Sequence, residues 1–197
     1  AATPARITEQ APKRSRVALD WTPEKSLAEM DANGVRTAVM SISAPGLWFG
    51  DTKATARLAR QCNDYHAEIV ARHPTRFGQF AALPLPSVDD TLREIAHAGD
   101  TLGADGFCIF SSYGNRYPGE AEFAPVFDEL NRRRAVVFVH PNVSDACRGL
   151  LPGIPGATLE FPLDTTRAAT SLLYGGTQVV HETLGNAGFR MAQGNAN

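Results

Sequence analysis

The stretch FAPVFDELNRRRAVVFVHPN, residues 123–142, decides the fold. Phe123, Val126, Phe127 and Leu130 recur at i, i+3, i+4 and i+7, the period of a helix with one apolar face. The spacing predicts a helix over 120–133. Residues 135–139, AVVFV, are apolar at every position, as in a strand covered on both faces, and His140-Pro141 stops it. A helix that feeds directly into such a strand is the closing half of a βαβ unit.

The same alternation extends in both directions. Upstream, Thr22 reads as an N-cap with Pro23 in the first turn, Leu27 and Met30 share a face, and Gly34 closes the helix. Residues 35–42, VRTAVMSI, read as another strand covered on both faces. Asp51 caps a helix over 52–72, with Leu58, Cys62, Tyr65 and Ile69 as its buried face. A strand over 77–85 follows. Ser87 then caps a third helix, with Asp90 as a short capping box and Leu92, Ile95, Ala96 and Leu102 as its stripe. Gly103 ends it, and 106–112, GFCIFSS, form a further strand. Downstream, 142–162 read as a loop rich in Gly and Pro, and Asp164 as the N-cap of a helix over 165–174.

Strand starts at 35, 77, 106 and 135 with a helix in each gap predict an α/β fold with a parallel sheet. No GxGxxG or GxxxxGK[ST] fingerprint occurs, and polar residues gather where strands end. Both favour a (β/α)8 barrel over a doubly wound sheet. A full barrel takes about 250 residues, so four strands predict part of one. Residues 1–20 read as a loosely ordered lead-in, 21–177 as the barrel segment and 178–197 as a divergent polar tail.

Composition narrows the function. Of 197 residues, 19 are basic and 21 acidic, for a net charge of −2. That opposes a broad nucleic-acid surface or a polybasic membrane patch. No apolar run reaches the roughly 18 residues of a membrane span, and the first residues lack a signal peptide's apolar core. Cys62, Cys108 and Cys147 cannot pair fully and lack CxxC spacing, which points to a reducing, cytoplasmic setting. Cys108 reads as a small core residue.

His140 is the sharpest candidate for chemistry, because a covered strand delivers it to the end where barrel enzymes keep their sites. Ser112 and Tyr113, with Ser111 and Asn115 nearby, follow a strand and offer hydroxyl or amide contacts to a ligand. Trp48 and Phe49 follow the first strand and could wall a substrate, and Arg148 could fork onto a carboxylate. His66, His73 and His97 read as structural. His181 has no partner at metal-ligand spacing. Glu160 and Asp164 are placed near a site, with capping as the simpler role for Asp164. Arg132-Arg133-Arg134 read as a solvated helix end.

From Trp21 to Thr177 the sequence resembles the amidohydrolase-related, metal-dependent decarboxylases. These include the aminocarboxymuconate-semialdehyde, γ-resorcylate and 6-methylsalicylate decarboxylases. The segments that carry the likeness are SLAEMDANGVRTAVMSISAPG, CNDYHAEIVARHPTRFGQFAALPLP, FAPVFDELNRRRAVVFVHPN and LEFPLDTTRAATSLLYGGT. The resemblance implies a distorted (β/α)8 barrel and one divalent metal, zinc first and manganese second. It also implies a small carboxylic-acid substrate and a homodimer, with neither nucleic acid nor membrane as partner. His140, in FVHP, matches the metal-ligating His after the fifth strand. No residue is assigned the proton transfer. The family's HxH pair occurs nowhere in the sequence, and neither its later SHxGG-like motif nor its final Asp can be placed. The expectation is therefore the middle of a family barrel followed by a foreign tail. Three functions follow: a decarboxylase of an aromatic or unsaturated acid, a metal-dependent hydrolase of an ester, lactone or amide, and a catalytically silent fragment.

Overall fold

A computed structural model describes residues 21–175. The lead-in, the tail and His181 lie outside the described residues. The elements run α1 (Pro23–Ala32), β1 (Ala38–Met40), α2 (Thr52–Arg72), β2 (Phe77–Ala82), α3 (Val88–Ala96), β3 (Gly106–Phe110), α4 (Ala124–Arg132), β4 (Val137–His140) and α5 (Gly156–Tyr174). A π-turn, His97–Thr101, extends α3, and single 3-10 turns precede α4 and follow β4.

The strands form one four-stranded sheet in the order β1-β2-β3-β4, with every neighbouring pair parallel. Chain order equals spatial order, and one helix separates each pair. A doubly wound sheet would reverse direction at a switch point. This sheet does not, so it is an arc of a (β/α)8 barrel.

Local chemistry sets the helix ends. Thr22 Oγ1 accepts from Lys25 N–H at 3.2 Å, and Asp51 Oδ1 accepts from Ala54 N–H at 3.0 Å. The main core lies between β3 and helices α3 and α4, built on Ile95, Phe107, Ile109, Phe123, Val126, Phe127 and Leu130. All four residues of the predicted α4 stripe are in it. Cys108 is fully buried, and burial pushes its thiol up to about 12. The β1–α2 loop folds over Phe110 at Gly46, where φ is +75° and a Cβ would stand 2.9 Å from the Phe110 ring.

Several expectations are corrected. Strand β1 is three residues long and not covered on both faces, since Val39 is 49% exposed at the edge of the described sheet. The buried face of α2 is Thr55, Ala59, Asn63 and Ile69, whereas Tyr65 is exposed. A polar residue takes the central place because its amide has work there. Asn63 Oδ1 accepts from Ala82 N–H at 2.7 Å, and its Nδ2 donates to Ala82 C=O at 3.0 Å and to Glu94 Oε1 at 2.8 Å. Leu83 N–H bonds to Cys108 C=O, so the Ala82 groups point away from β3. They lie beyond the end of β1, and the Asn63 amide stands in for a strand.

The same contact buries Glu94 on α3 and leaves Ala96 exposed. Arg60 Nε completes the Glu94 pairing at 2.8 Å. Ser87 caps by position alone, because its hydroxyl donates to Asp90 Oδ2 at 2.6 Å rather than accepting a backbone N–H. Arg133 is not solvated: its guanidinium clasps Asp100 at 2.7 and 2.9 Å, tying α4 to the π-turn.

The largest correction is α5. It begins at Gly156, not 165, and carries Pro162 inside it. Asp164 is no N-cap but a mid-helix residue with no exposed surface.

Candidate active site

The C-terminal ends of β3 and β4 and the middle of α5 meet at one polar cluster. Asp164 is its hub. Oδ2 accepts from Ser111 Oγ and Ser112 Oγ, each at 2.6 Å, and Oδ1 accepts from the Tyr117 hydroxyl at 2.9 Å. A buried carboxylate needs such donors, because desolvation without them is costly. Beside it, Arg167 Nη1 lies 3.6 Å from Glu160 Oε2 and 3.9 Å from Asp164 Oδ1. Those Arg167 and Glu160 atoms are buried and make no hydrogen bond among the described residues.

His140 ends β4, among Phe110, Phe138 and Phe161, with ring centroids at 5.5, 6.1 and 6.4 Å. Its Nδ1 lies 2.7 Å from Pro141 C=O. A carbonyl only accepts, so this assigns the proton to Nδ1 and a free lone pair to Nε2. Burial lowers the ring's pKa, opposed by the bond to Pro141, and favours the neutral form. A neutral imidazole with a free Nε2 is the state a metal binds.

Burial also lowers the pKa of His66, whose Nδ1 has no hydrogen-bond partner among the described residues. Both rings are held neutral in the fold but titrate near the ordinary value of 6.5 when unfolded. The unfolded chain then binds more protons below that value, so their stability is complete above pH 6.5 and erodes as pH falls through the lowered folded values. The urea midpoint is expected to drop between about pH 7.5 and about pH 5.5, each ring contributing less than the ceiling of about 1.4 kcal/mol per pH unit. Repeating the titration with His66→Gln and His140→Gln should show each variant losing part of that drop.

The other predicted site residues are dispersed. Ser112 faces Asp164, and its carbonyl accepts from Asn142 Nδ2 at 3.2 Å. Tyr113 is 3% exposed, and its hydroxyl accepts from Phe110 N–H at 2.9 Å, so it is committed to the core. Trp48 is half-buried and packs on that core, and Phe49 is half-buried in the same loop. Arg148 is exposed and stays local, near Val143 C=O at 3.5 Å and Asp145 Oδ1 at 3.2 Å. Asn115 Oδ1 accepts from Ala146 N–H at 2.7 Å. His66 lies on α2, His73 is its C-cap, and His97 bonds Asp64 at 2.8 Å. Sequence reasoning missed Tyr117, Asn142 and Phe161, which are tens of residues from some of their partners and carry no local signature.

Among the described residues no group of three or more His, Cys, Asp or Glu side chains is placed to hold a metal ion. His140 is one donor, whereas a catalytic zinc normally takes about three from the protein. The described residues therefore fit one corner of a metal site rather than a whole one. No described helix is long and apolar enough to cross a membrane.

Comparison with known proteins adds the following. The family model described as amidohydrolase matches residues 10–191. A decarboxylase of Penicillium terrestre is 41% identical over 168 residues, covering 80% of this chain and 50% of that protein. The 6-methylsalicylic acid decarboxylase of Aspergillus aculeatus is 38% identical over 162 residues, covering 79% of this chain and 48% of that protein. The crystal structure of the 5-carboxyvanillate decarboxylase of Novosphingobium aromaticivorans, complexed with manganese and 4-hydroxy-3-methoxy-5-nitrobenzoic acid, is 29% identical with a TM-score of 0.69. That match covers 76% of this chain and 43% of the solved one. The chain thus spans about half the length of the curated relatives it matches. The expected resemblance and the part-barrel fold are both borne out.

Proposed function

Because the chain belongs to the amidohydrolase family, we propose that it is a metal-dependent decarboxylase of an aromatic or unsaturated carboxylic acid. The observation that carries this reading is the likeness, over four-fifths of the chain, to relatives named as decarboxylases. His140 supports it, since β4 presents a neutral ring with a free Nε2 at the barrel end that carries catalysis. In such a reaction the ring carbon first takes a proton. Its bond to the carboxyl carbon then breaks, the electron pair of that bond returns to the ring, and carbon dioxide leaves.

In this proposal His140 is one ligand of a divalent metal. The resemblance points to zinc, and the Novosphingobium enzyme holds manganese. Trp48, Phe49, Ser112 and Arg148 remain the proposed substrate contacts, whereas Tyr113 serves the core. Trp48 and Phe49, half-buried in the β1–α2 loop, would serve as walls of the substrate site. A homodimer and a cytoplasmic location complete the reading. So does the division into a lead-in (1–20), a barrel segment (21–177) and a tail (178–197).

The test measures metal content, and carbon dioxide released from 6-methylsalicylate with zinc or manganese supplied, for the full chain and His140→Ala. The expected result is bound metal and release by the native chain. His140→Ala should lose at least about 100-fold in metal affinity, since even groups that only support a ligand are worth about 10- to 100-fold. Neither metal nor release in the native chain would overturn the proposal. Acid formed from an aryl ester or lactone without carbon dioxide would replace it with a hydrolase on the same scaffold.

A further inference from the structure

A directional chain of hydrogen bonds joins Asp164 to His140. His140 Nδ1–H donates to Pro141 C=O at 2.7 Å. That carbonyl belongs to the same peptide unit as Asn142 N–H, which donates to Ser111 Oγ at 2.8 Å. The Ser111 hydroxyl in turn donates to Asp164 Oδ2 at 2.6 Å. Every proton along the path points toward the carboxylate. Ser111 N–H also donates to His140 C=O at 2.9 Å, so one serine grips the backbone on both sides of Pro141.

We propose that Asp164 is the positioning residue of His140, acting through Ser111 and the Pro141–Asn142 peptide to hold the proton on Nδ1 and leave Nε2 bare.

The physical basis is polarity. A carboxylate with no exposed surface accepts only, so it fixes which way the Ser111 hydroxyl points. With its proton committed, Ser111 Oγ is left as an acceptor, and among the described residues the Asn142 N–H fills that place. The peptide is then polarised so that its carbonyl draws the Nδ1 proton, and bonds aligned head to tail strengthen one another. A directly bonded carboxylate does the same for many metal-bound histidines. Here a serine and one peptide unit intervene. The alternative tautomer, protonated on Nε2, would set a bare Nδ1 against the Pro141 oxygen, lone pair against lone pair.

The use of this arrangement, presenting Nε2 to a metal, rests on the proposed function, but the hydrogen-bond chain does not. The two can fail separately. Nitrogen-15 NMR of the His140 ring, in full-length protein without added metal and at a pH where the ring is neutral, reads the tautomer directly. The native chain should show a protonated Nδ1 and a bare Nε2. Ser111→Ala and Asp164→Asn should lose that single signature and show a mixture of the two neutral tautomers, because Pro141 C=O still faces Nδ1. Tyr117→Phe is the control: it removes a hydrogen bond from the same carboxylate but lies off the path, and the native signature should persist. Ser111→Thr keeps the hydroxyl and should restore it.

Unchanged tautomers in Ser111→Ala and Asp164→Asn would overturn the proposal. An equal change in Tyr117→Phe would also overturn it, by reducing Asp164 to a general structural anchor. If Asp164→Asn fails to fold, Ser111→Ala against Ser111→Thr decides alone. Manganese titration of the same proteins reports separately on the proposed function. Where the native chain binds the ion, the path variants should bind it about 10- to 100-fold more weakly.

Discussion

Asp164→Leu is expected to cost about 4 kcal/mol of folding stability, measured as the shift in urea midpoint at neutral pH. The carboxylate is the shared acceptor for three hydroxyls, of which Ser111 and Ser112 are buried. Leucine fills much of the space, so water cannot enter to replace it, and both serines are left without an acceptor. The penalty for each stranded group is about 1–3 kcal/mol. The helix also loses its anchor to the end of β3, because Pro162 already removes one backbone donor within the same helix. Set against the 5–15 kcal/mol typical of a domain, the substitution takes a large fraction of the whole. A loss below about 1 kcal/mol, as for an ordinary surface change, would mean that the cluster is not the anchor described.

Asn63→Leu should cost about as much, near 4 kcal/mol, by a different route. The side chain is fully buried and makes three hydrogen bonds, two of them to one residue's backbone. Leucine leaves Ala82 N–H and C=O both stranded, and takes a donor from the buried Glu94 carboxylate. Glu94 then depends on Arg60, whose side chain is 42% exposed and so holds it weakly. A double substitution, Asn63→Leu with Glu94→Gln, should recover part of the loss, because the uncharged amide is cheaper to bury. Thermal midpoints for the two single variants and the pair give the coupling. Strict additivity would deny the link between α2 and α3.

What could be read from the sequence was local. The start of α2 follows from Asp51 as a cap, and the α4 stripe follows from its period. The alternation of strand and helix is enough to give a parallel sheet, and His140 falls at a strand end as expected. The misreadings share one cause, which is that the deciding partner is far away in sequence. Gly and Pro around 152–162 read as loop, yet α5 starts at Gly156 because tertiary contacts outweigh local preference. Asp164 reads as a cap, since caps and buried acceptors draw on the same residue types. Its donors, Ser111, Ser112 and Tyr117, lie 47–53 residues earlier. In the same way, Asn63 sits on a face that periodicity gave to Tyr65, because Ala82 and Glu94 are 19 and 31 residues away.

The Asn63 amide has one more consequence, for how the chain behaves in a crowded solution. A strand end with free N–H and C=O groups is a template for another polypeptide, and exposed templates seed aggregates. At Ala82 both groups are occupied by a side chain of the same molecule, within a closed local ring. A passing strand finds nothing there to bond. The amide thus works as a stopper as well as a brace: it closes the strand end inside the fold, and in molecules that open far enough to lose it the Ala82 groups become such a template.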